Sequence, residues 1–290
     1  MNDFPLTSKT ILVTGSNGQL GMELQQIAAD FPSYEFLFTT KEVLPIEDFD
    51  LVRKYFFDRQ IDHCINCAAY TQVDKAESEK GKAFLLNAEA VGNLAKLCRE
   101  NGTKFIHISS DYVFDGSANR PYREDDRIAP VNTYGQSKLR GEELAFNNNP
   151  NTTIIRTSWV YSSFGNNFVK TIRRLMSERD VVRVVNDQFG CPTYAADLAQ
   201  VIMLMIGHEE DVPGIYNYCN SGVTSWYDFA LAIKNIVQSN CRVLPVTTDE
   251  YPVIAKRPKY SVLDTTKITT YLGINIPAWQ QSLERCLNLF

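Results

Sequence analysis

Tyr134 and Lys138 stand four residues apart in Thr133-Tyr134-Gly135-Gln136-Ser137-Lys138, and a hydroxyl residue, Ser110, closes an apolar run a little over twenty residues upstream. On a helix, positions i and i+4 share a face one turn apart, so this spacing predicts an ammonium beneath a phenol. Free tyrosine titrates at about 10, and a neighbouring cation favours the phenolate, which makes the phenol a usable general acid near neutrality. The chemistry such a pair would serve is proton delivery to a carbonyl oxygen during reduction. The same spacing is common on solvated helix faces, so the elements that would position the pair must decide between the two.

Those elements alternate. Apolar runs and amphipathic stretches succeed one another through the first half of the chain, the pattern of strand–helix–strand units with parallel pairing. Strands are expected over residues 10–14, 35–40, 63–68, 104–109 and 153–158, and helices over 19–30, 48–59, 76–100 and 131–146. Beyond about Trp159 the rhythm is less regular, with a strand expected over 214–220, a helix over 225–237 and a terminal helix from Pro277. The expectation is an α/β fold, a doubly wound parallel (Rossmann) sheet with a smaller C-terminal substrate domain. Residues 1–165 and returning segments at about 194–220 would form the dinucleotide-binding domain, and about 166–193 and 221–290 the substrate domain.

With 290 residues and 44% hydrophobic content the chain can bury a large core. The net charge is −5 with no basic run, which argues against nucleic acid as a partner. The first nine residues form a polar lead without an apolar signal core, and the longest apolar stretch, about residues 198–206, is too short for a bilayer. A cytoplasmic protein without a membrane partner is expected. Seven cysteines, an odd number scattered through predicted elements, read as reduced thiols. Cys64 and Cys67 form a C-x-x-C pair, but residues three apart on a strand point to opposite faces. His63, His107 and His208 lack ligand-like spacing and are expected to be structural or exposed; no metal site is expected.

Gly15-Ser16-Asn17-Gly18-Gln19-Leu20-Gly21 follows the first strand and opens the first helix. Glycines there let the turn tighten and the backbone approach a pyrophosphate, while the helix N-terminus offers unpaired amides. Gly15, Asn17, Gly18, Gln19, Leu20 and Gly21 are therefore candidate dinucleotide contacts. After the second strand the sequence is Thr39-Thr40-Lys41, without the carboxylate that usually holds the ribose of NAD at that point. NADPH is the expected cofactor, with NADH left open by Glu42, and Thr39, Thr40 or Lys41 is expected near its extra phosphate.

Ser110, Tyr134 and Lys138, in that order after a glycine-rich turn, match the extended short-chain dehydrogenase/reductase pattern. Cys67-Ala68-Ala69-Tyr70-Thr71-Gln72-Val73-Asp74-Lys75-Ala76-Glu77, Ser110-Asp111-Tyr112-Val113-Phe114-Asp115-Gly116, Arg156-Thr157-Ser158-Trp159-Val160-Tyr161 and Asn186-Asp187-Gln188-Phe189-Gly190-Cys191-Pro192-Thr193 narrow the resemblance. From about residue 9 to the C-terminus the chain resembles the dTDP-4-dehydrorhamnose reductase family. The resemblance implies reduction of the 4-keto group of dTDP-4-dehydro-L-rhamnose to dTDP-L-rhamnose, with Tyr134 as proton donor, Ser110 bonded to the keto oxygen, and Lys138 tuning Tyr134 and holding the nicotinamide ribose. It places Ala68, Ala69 and Asn87 on the cofactor side, Asn87 within a water relay or else bonded locally. Val73, Asp111, Tyr112 and Trp159 fall near the hexose, although Trp159 also suits a buried core. Arg257 would meet the pyrophosphate or lie exposed, and Asn166 and Asn167 would donate to substrate or cap a helix.

Two positions depart from the family's pattern. Some members bridge a homodimer through magnesium; Glu23 keeps one acidic position, but the other is Ala196. Pro45 replaces a usual acidic residue after the second strand. A homodimer is left open. The rivals are a non-catalytic regulatory subunit of the methionine adenosyltransferase type, and another sugar-nucleotide reductase or epimerase of the superfamily.

Overall fold

The computed structural model describes residues 8–290, so the polar lead expected at the start of the chain lies mostly outside the described residues. Its centre is a six-stranded parallel sheet made of β1 (Lys9–Thr14), β2 (Tyr34–Thr39), β3 (His63–Asn66), β4 (Lys104–Ser110), β5 (Thr152–Thr157) and a returning strand, Gly214–Asn217. Across the sheet the order is Gly214–Asn217, β5, β4, β3, β1, β2. Strand order reverses between β1 and β3, and in open α/β sheets the crevice at such a reversal, beyond the strands' C-terminal ends, takes ligands.

Helices cover both faces, which is why the strands read as unbroken apolar runs. Ile11 and Val13 of β1 pack into a cluster with Leu20 and Leu24 of helix Gln19–Ile27 and Leu198 and Ile202 of helix Ala195–Gly207. Leu12, between them, faces the opposite cluster with Val52 and Phe56 of helix Phe49–Phe57 and Leu94 of helix Ala90–Glu100. Cys64 packs in this second cluster and Cys67 against the first, the separation expected of the C-x-x-C pair. All seven cysteines are free.

The long helix expected over residues 76–100 is broken into Val73–Ala76, Lys80–Phe84, a π-turn at Leu85–Glu89 and Ala90–Glu100. The interruption falls at Asn87, whose side chain is fastened to the backbone of Tyr70. β3 stops at Asn66, where the chain turns away after a last bond from Cys67 N to Thr14 O. The helix carrying Tyr134 and Lys138 spans Thr133–Asn148; Asn132 caps it by accepting from Gly135 N at 2.8 Å.

Beyond β5, helices Phe168–Glu178, Trp226–Ile236 and Trp279–Leu287 surround a separate core containing Ile172, Phe229, Ile233 and Leu283. Its strands Val181–Val185 and Arg242–Val246 pair in parallel. Helix Thr266–Leu272 instead sends Ile268 into the main-sheet core. Among the described residues no helix is long and apolar enough to cross a membrane.

Candidate active site

Gly15 adopts φ +64, and a Cβ there would lie 2.6 Å from Ala68 N, so the turn after β1 packs directly on the chain leaving β3. Gly18 N donates to Gly15 O at 3.0 Å, and Ser16 N donates to Thr39 O at 3.0 Å. Gly18 is the N-cap of helix Gln19–Ile27 without a side-chain bond, and Asn17 and Gly18 are exposed. The helix therefore presents free amides at the crevice beside Gly15, Ala68 and Ala69, which fits a dinucleotide pyrophosphate. Leu20 and Gly21 are buried, so any role they have there is through backbone and packing. Gln19 turns away: its Oε1 accepts from Asn167 Nδ2 at 2.9 Å and ties the turn to the second core.

Thr39 does not fit its expected place. Its side chain is buried and its hydroxyl donates back to Val13 O at 3.2 Å, because the β2 pleat points it into the sheet. Lys41 is exposed at the strand's end and only loosely paired with Glu47 at 3.4 Å, so it remains able to meet a phosphate.

β4 and helix Thr133–Asn148 bring Ser110, Tyr134 and Lys138 together. A Cβ on Gly135 would fall 2.2 Å from Tyr112 O, so glycine is what lets the helix start against the turn after Ser110. Ser110 Oγ donates to Asp111 Oδ1 at 2.9 Å and accepts from Tyr112 N at 3.2 Å. The half-buried Tyr134 ring meets Tyr112 edge-on, with ring centres 5.5 Å apart. Asp111 Oδ2 is buried without a partner, and burial pushes that carboxyl up to about 6.

Lys138 corrects the simple helical picture. Its Nζ donates to Ile108 O at 2.6 Å and lies 3.4 Å from His107 Nε2, which draws it toward β4. Burial pushes the Tyr134 phenol up to about 12, with the Ser110 contact opposing that rise. Burial lowers Lys138 to about 8, with Glu142 opposing. No depression of Tyr134 by Lys138 is seen in the free protein: desolvation raises the phenol, and the amine is engaged by Ile108 O and His107.

Asn87 takes the local alternative. Its Oδ1 accepts from Tyr70 N at 2.8 Å, and its Nδ2 donates to Tyr70 O and Ser137 Oγ, each at 3.0 Å. Both Nδ2 hydrogens are spent, so the side chain braces the Tyr70 loop against the Tyr134 helix and can meet a water only by accepting from it. Asn167 likewise caps helix Phe168–Glu178 through Lys170 N, and its amide is spent on Gln19 and Ser162 O. Its expected contact with substrate gives way to that cap.

Val73, half-buried, begins the short helix whose next residue, Asp74, grips Arg257 through two bonds of 2.6 and 2.7 Å. The Arg257 side chain is 19% exposed, so it is neither a free surface arginine nor an unpaired one. Trp159 sits at φ +48, a region costly for a bulky residue, and stacks on Trp226 with ring centres 3.5 Å apart. It is only half-buried, unlike a core tryptophan.

Sequence reasoning gave no site role to Asn66, Asp74 or Trp226 and read His107 as structural or exposed. Only His107 carried a signal: with Ser109, two residues on, it puts polar groups on one face of a strand that is otherwise apolar, and that face receives the Tyr134 helix.

A family model described as RmlD substrate binding domain matches residues 9–290. The chain belongs to this family. It is 43% identical over 277 residues to the spore coat polysaccharide biosynthesis protein SpsK of Bacillus subtilis, covering 96% of each chain. It is 40% identical over 285 residues to the dTDP-4-dehydrorhamnose reductase of Aggregatibacter actinomycetemcomitans, covering 94% of this chain and 97% of that one. The solved dTDP-4-dehydrorhamnose reductase of Bacillus anthracis, in complex with NADP, superposes with a TM-score of 0.94 at 37% identity over 98% of this chain and 100% of that one. The α/β fold and parallel sheet are those of this family. Among the described residues no group of three or more histidine, cysteine or carboxylate side chains is placed to hold a metal.

Proposed function

We propose that the protein reduces the 4-keto group of dTDP-4-dehydro-L-rhamnose to dTDP-L-rhamnose with NADPH. The observation that carries the reading is the convergence of Ser110, Tyr134 and Lys138 at the C-terminal edge of β4, beside a glycine turn with open helix amides. Relatives that bear the reductase name align along nearly the whole chain, and one of them holds NADP. The complete hydroxyl, phenol and amine set favours turnover over the partner-binding role of a regulatory subunit.

When bound, the cofactor supplies hydride to the keto carbon. Gly15, Gly18 and the first amides of helix Gln19–Ile27 hold its pyrophosphate, Ala68 and Ala69 line its path, and Lys41 meets its additional phosphate. The protein's own chemistry is the handling of charge at the keto oxygen. Ser110 turns its hydroxyl proton from Asp111 to that oxygen, and Tyr134 delivers the phenolic proton as negative charge develops. Burial keeps the phenol protonated in the free protein, so giving up that proton requires a cation to stabilise the phenolate. Lys138, when cationic, stabilises the phenolate left behind and reaches the nicotinamide ribose. Val73, Asp111, Tyr112 and Trp159 surround the hexose, and Arg257 exchanges Asp74 for a diphosphate oxygen as substrate enters.

The test is a coupled assay following NADPH oxidation with enzymatically generated dTDP-4-dehydro-L-rhamnose. Stoichiometric formation of dTDP-L-rhamnose is expected; no turnover by the native chain would overturn the proposal.

A further inference from the structure

Behind Lys138 a line of buried polar groups crosses the sheet. Thr14 Oγ1 lies 2.7 Å from Asn66 Oδ1, Asn66 Nδ2 lies 3.0 Å from His107 Nδ1, and His107 Nε2 lies 3.4 Å from Lys138 Nζ. All four residues are at most 2% exposed. They come from β1, β3, β4 and the Tyr134 helix, so no local turn requires the arrangement.

The donors and acceptors permit two self-consistent directions. If Thr14 donates to Asn66 Oδ1, the Asn66 amide donates to His107 Nδ1, and the imidazole proton sits on Nε2, facing Lys138. That arrangement suits a neutral amine, whose lone pair accepts. If the Asn66 amide is turned over, its oxygen accepts from His107 Nδ1–H, and Nε2 accepts from an ammonium. Lys138 donates to Ile108 O in either case. His107 carries one proton in both end states: as the ammonium becomes an amine its proton passes to Nε2 and the Nδ1 proton is released to solvent, so one proton leaves in all, and the reverse restores it.

We propose that His107 is a positioning residue that lets Lys138 exist in both charge states, by exchanging tautomers in step with the Asn66 amide. The catalytic meaning of this rests on the reductase reading, because Lys138 must be cationic to stabilise the Tyr134 phenolate. Burial, followed by Lys138 itself, holds His107 well below its usual range, so it answers by tautomer rather than by charge. The other ionisable groups around Lys138 are Tyr134 one turn back, Glu142 one turn on with Arg156 of β5 paired to it, and Asp111 after β4.

The experiment is nitrogen-15 NMR of histidine-labelled full-length protein, titrated from about pH 6 to about pH 10. The His107 signals should change from Nδ1–H to Nε2–H with a midpoint near that of Lys138, about 8. Lys138→Met should abolish the change. Asn66→Asp, which can only accept, should hold Nδ1–H throughout and raise the high-pH limb of kcat/KM by about one unit. A single His107 tautomer across the range in the native protein would overturn the inference, as would a change that persists in Lys138→Met. The tautomer readout does not depend on turnover, so failure here and failure of the reductase reading are separable.

Discussion

Arg156 and Glu142 pair inside the protein, with Nε and Nη2 donating to the carboxylate at 3.0 and 2.7 Å and side chains 0% and 3% exposed. Ser109 Oγ donates to the same carboxylate at 2.5 Å. The pair fastens β5 to the helix of Tyr134 and Lys138. Removing one charge leaves the other buried and uncompensated, so Glu142→Gln is expected to cost about 3–5 kcal/mol in urea unfolding. A loss under about 1 kcal/mol would show that the pair does not hold the site together.

Tyr134→Phe keeps the ring that packs on Tyr112 and removes only the transferable proton. A fall in kcat of about 10²–10⁴-fold is expected with cofactor affinity little changed. Turnover at the native rate would remove Tyr134 as the acid.

The pH dependence follows from Lys138. Burial lowers it to about 8, so the cation is present below that pH and lost above it. The kcat/KM profile should therefore decline as pH rises through about 8. Stability should move the other way. An unfolded lysine titrates at about 10.4, so between the two values the unfolded chain binds more protons and this group's contribution to stability rises with pH.

Asp111 is charged against its surroundings, with one oxygen unpartnered and its pKa up at about 6. Asp111→Asn relieves that desolvation and is expected to stabilise the free protein by about 1–3 kcal/mol at neutral pH. It should also lower kcat/KM, because the side chain orients Ser110. Thermal unfolding beside steady-state kinetics checks both; a destabilised variant would contradict the electrostatic account.

Gly15→Ala adds a Cβ 2.6 Å from Ala68 N at a position with φ +64. The turn must open, so cofactor affinity, measured by fluorescence titration with NADPH, should fall by at least about tenfold. Unchanged binding would place the cofactor elsewhere.

The alternation of strands and helices, the glycine turn and the order Ser110, Tyr134, Lys138 were legible in the chain because each depends on local period or sequence order. Residue commitments were harder to read. Asn87 and Asn167 have amides that suit water, substrate or a cap equally well, and the choice was made by Tyr70, Ser137, Gln19 and Ser162, which no spacing rule connects to them. The break in the long helix was hidden for the same reason, since residues 76–100 carry a helical pattern through Asn87.

By itself the sequence determined that a phenol and an amine share one helical face downstream of a glycine-rich turn, because backbone geometry converts a four-residue spacing into neighbours. Tertiary structure decided what those neighbours do. It drew Lys138 to Ile108 O and His107, desolvated Tyr134, and set Arg257 on Asp74 from 183 residues away. Desolvation and long-range pairing depend on what other elements bring to the same few ångströms, and only the packed chain specifies that.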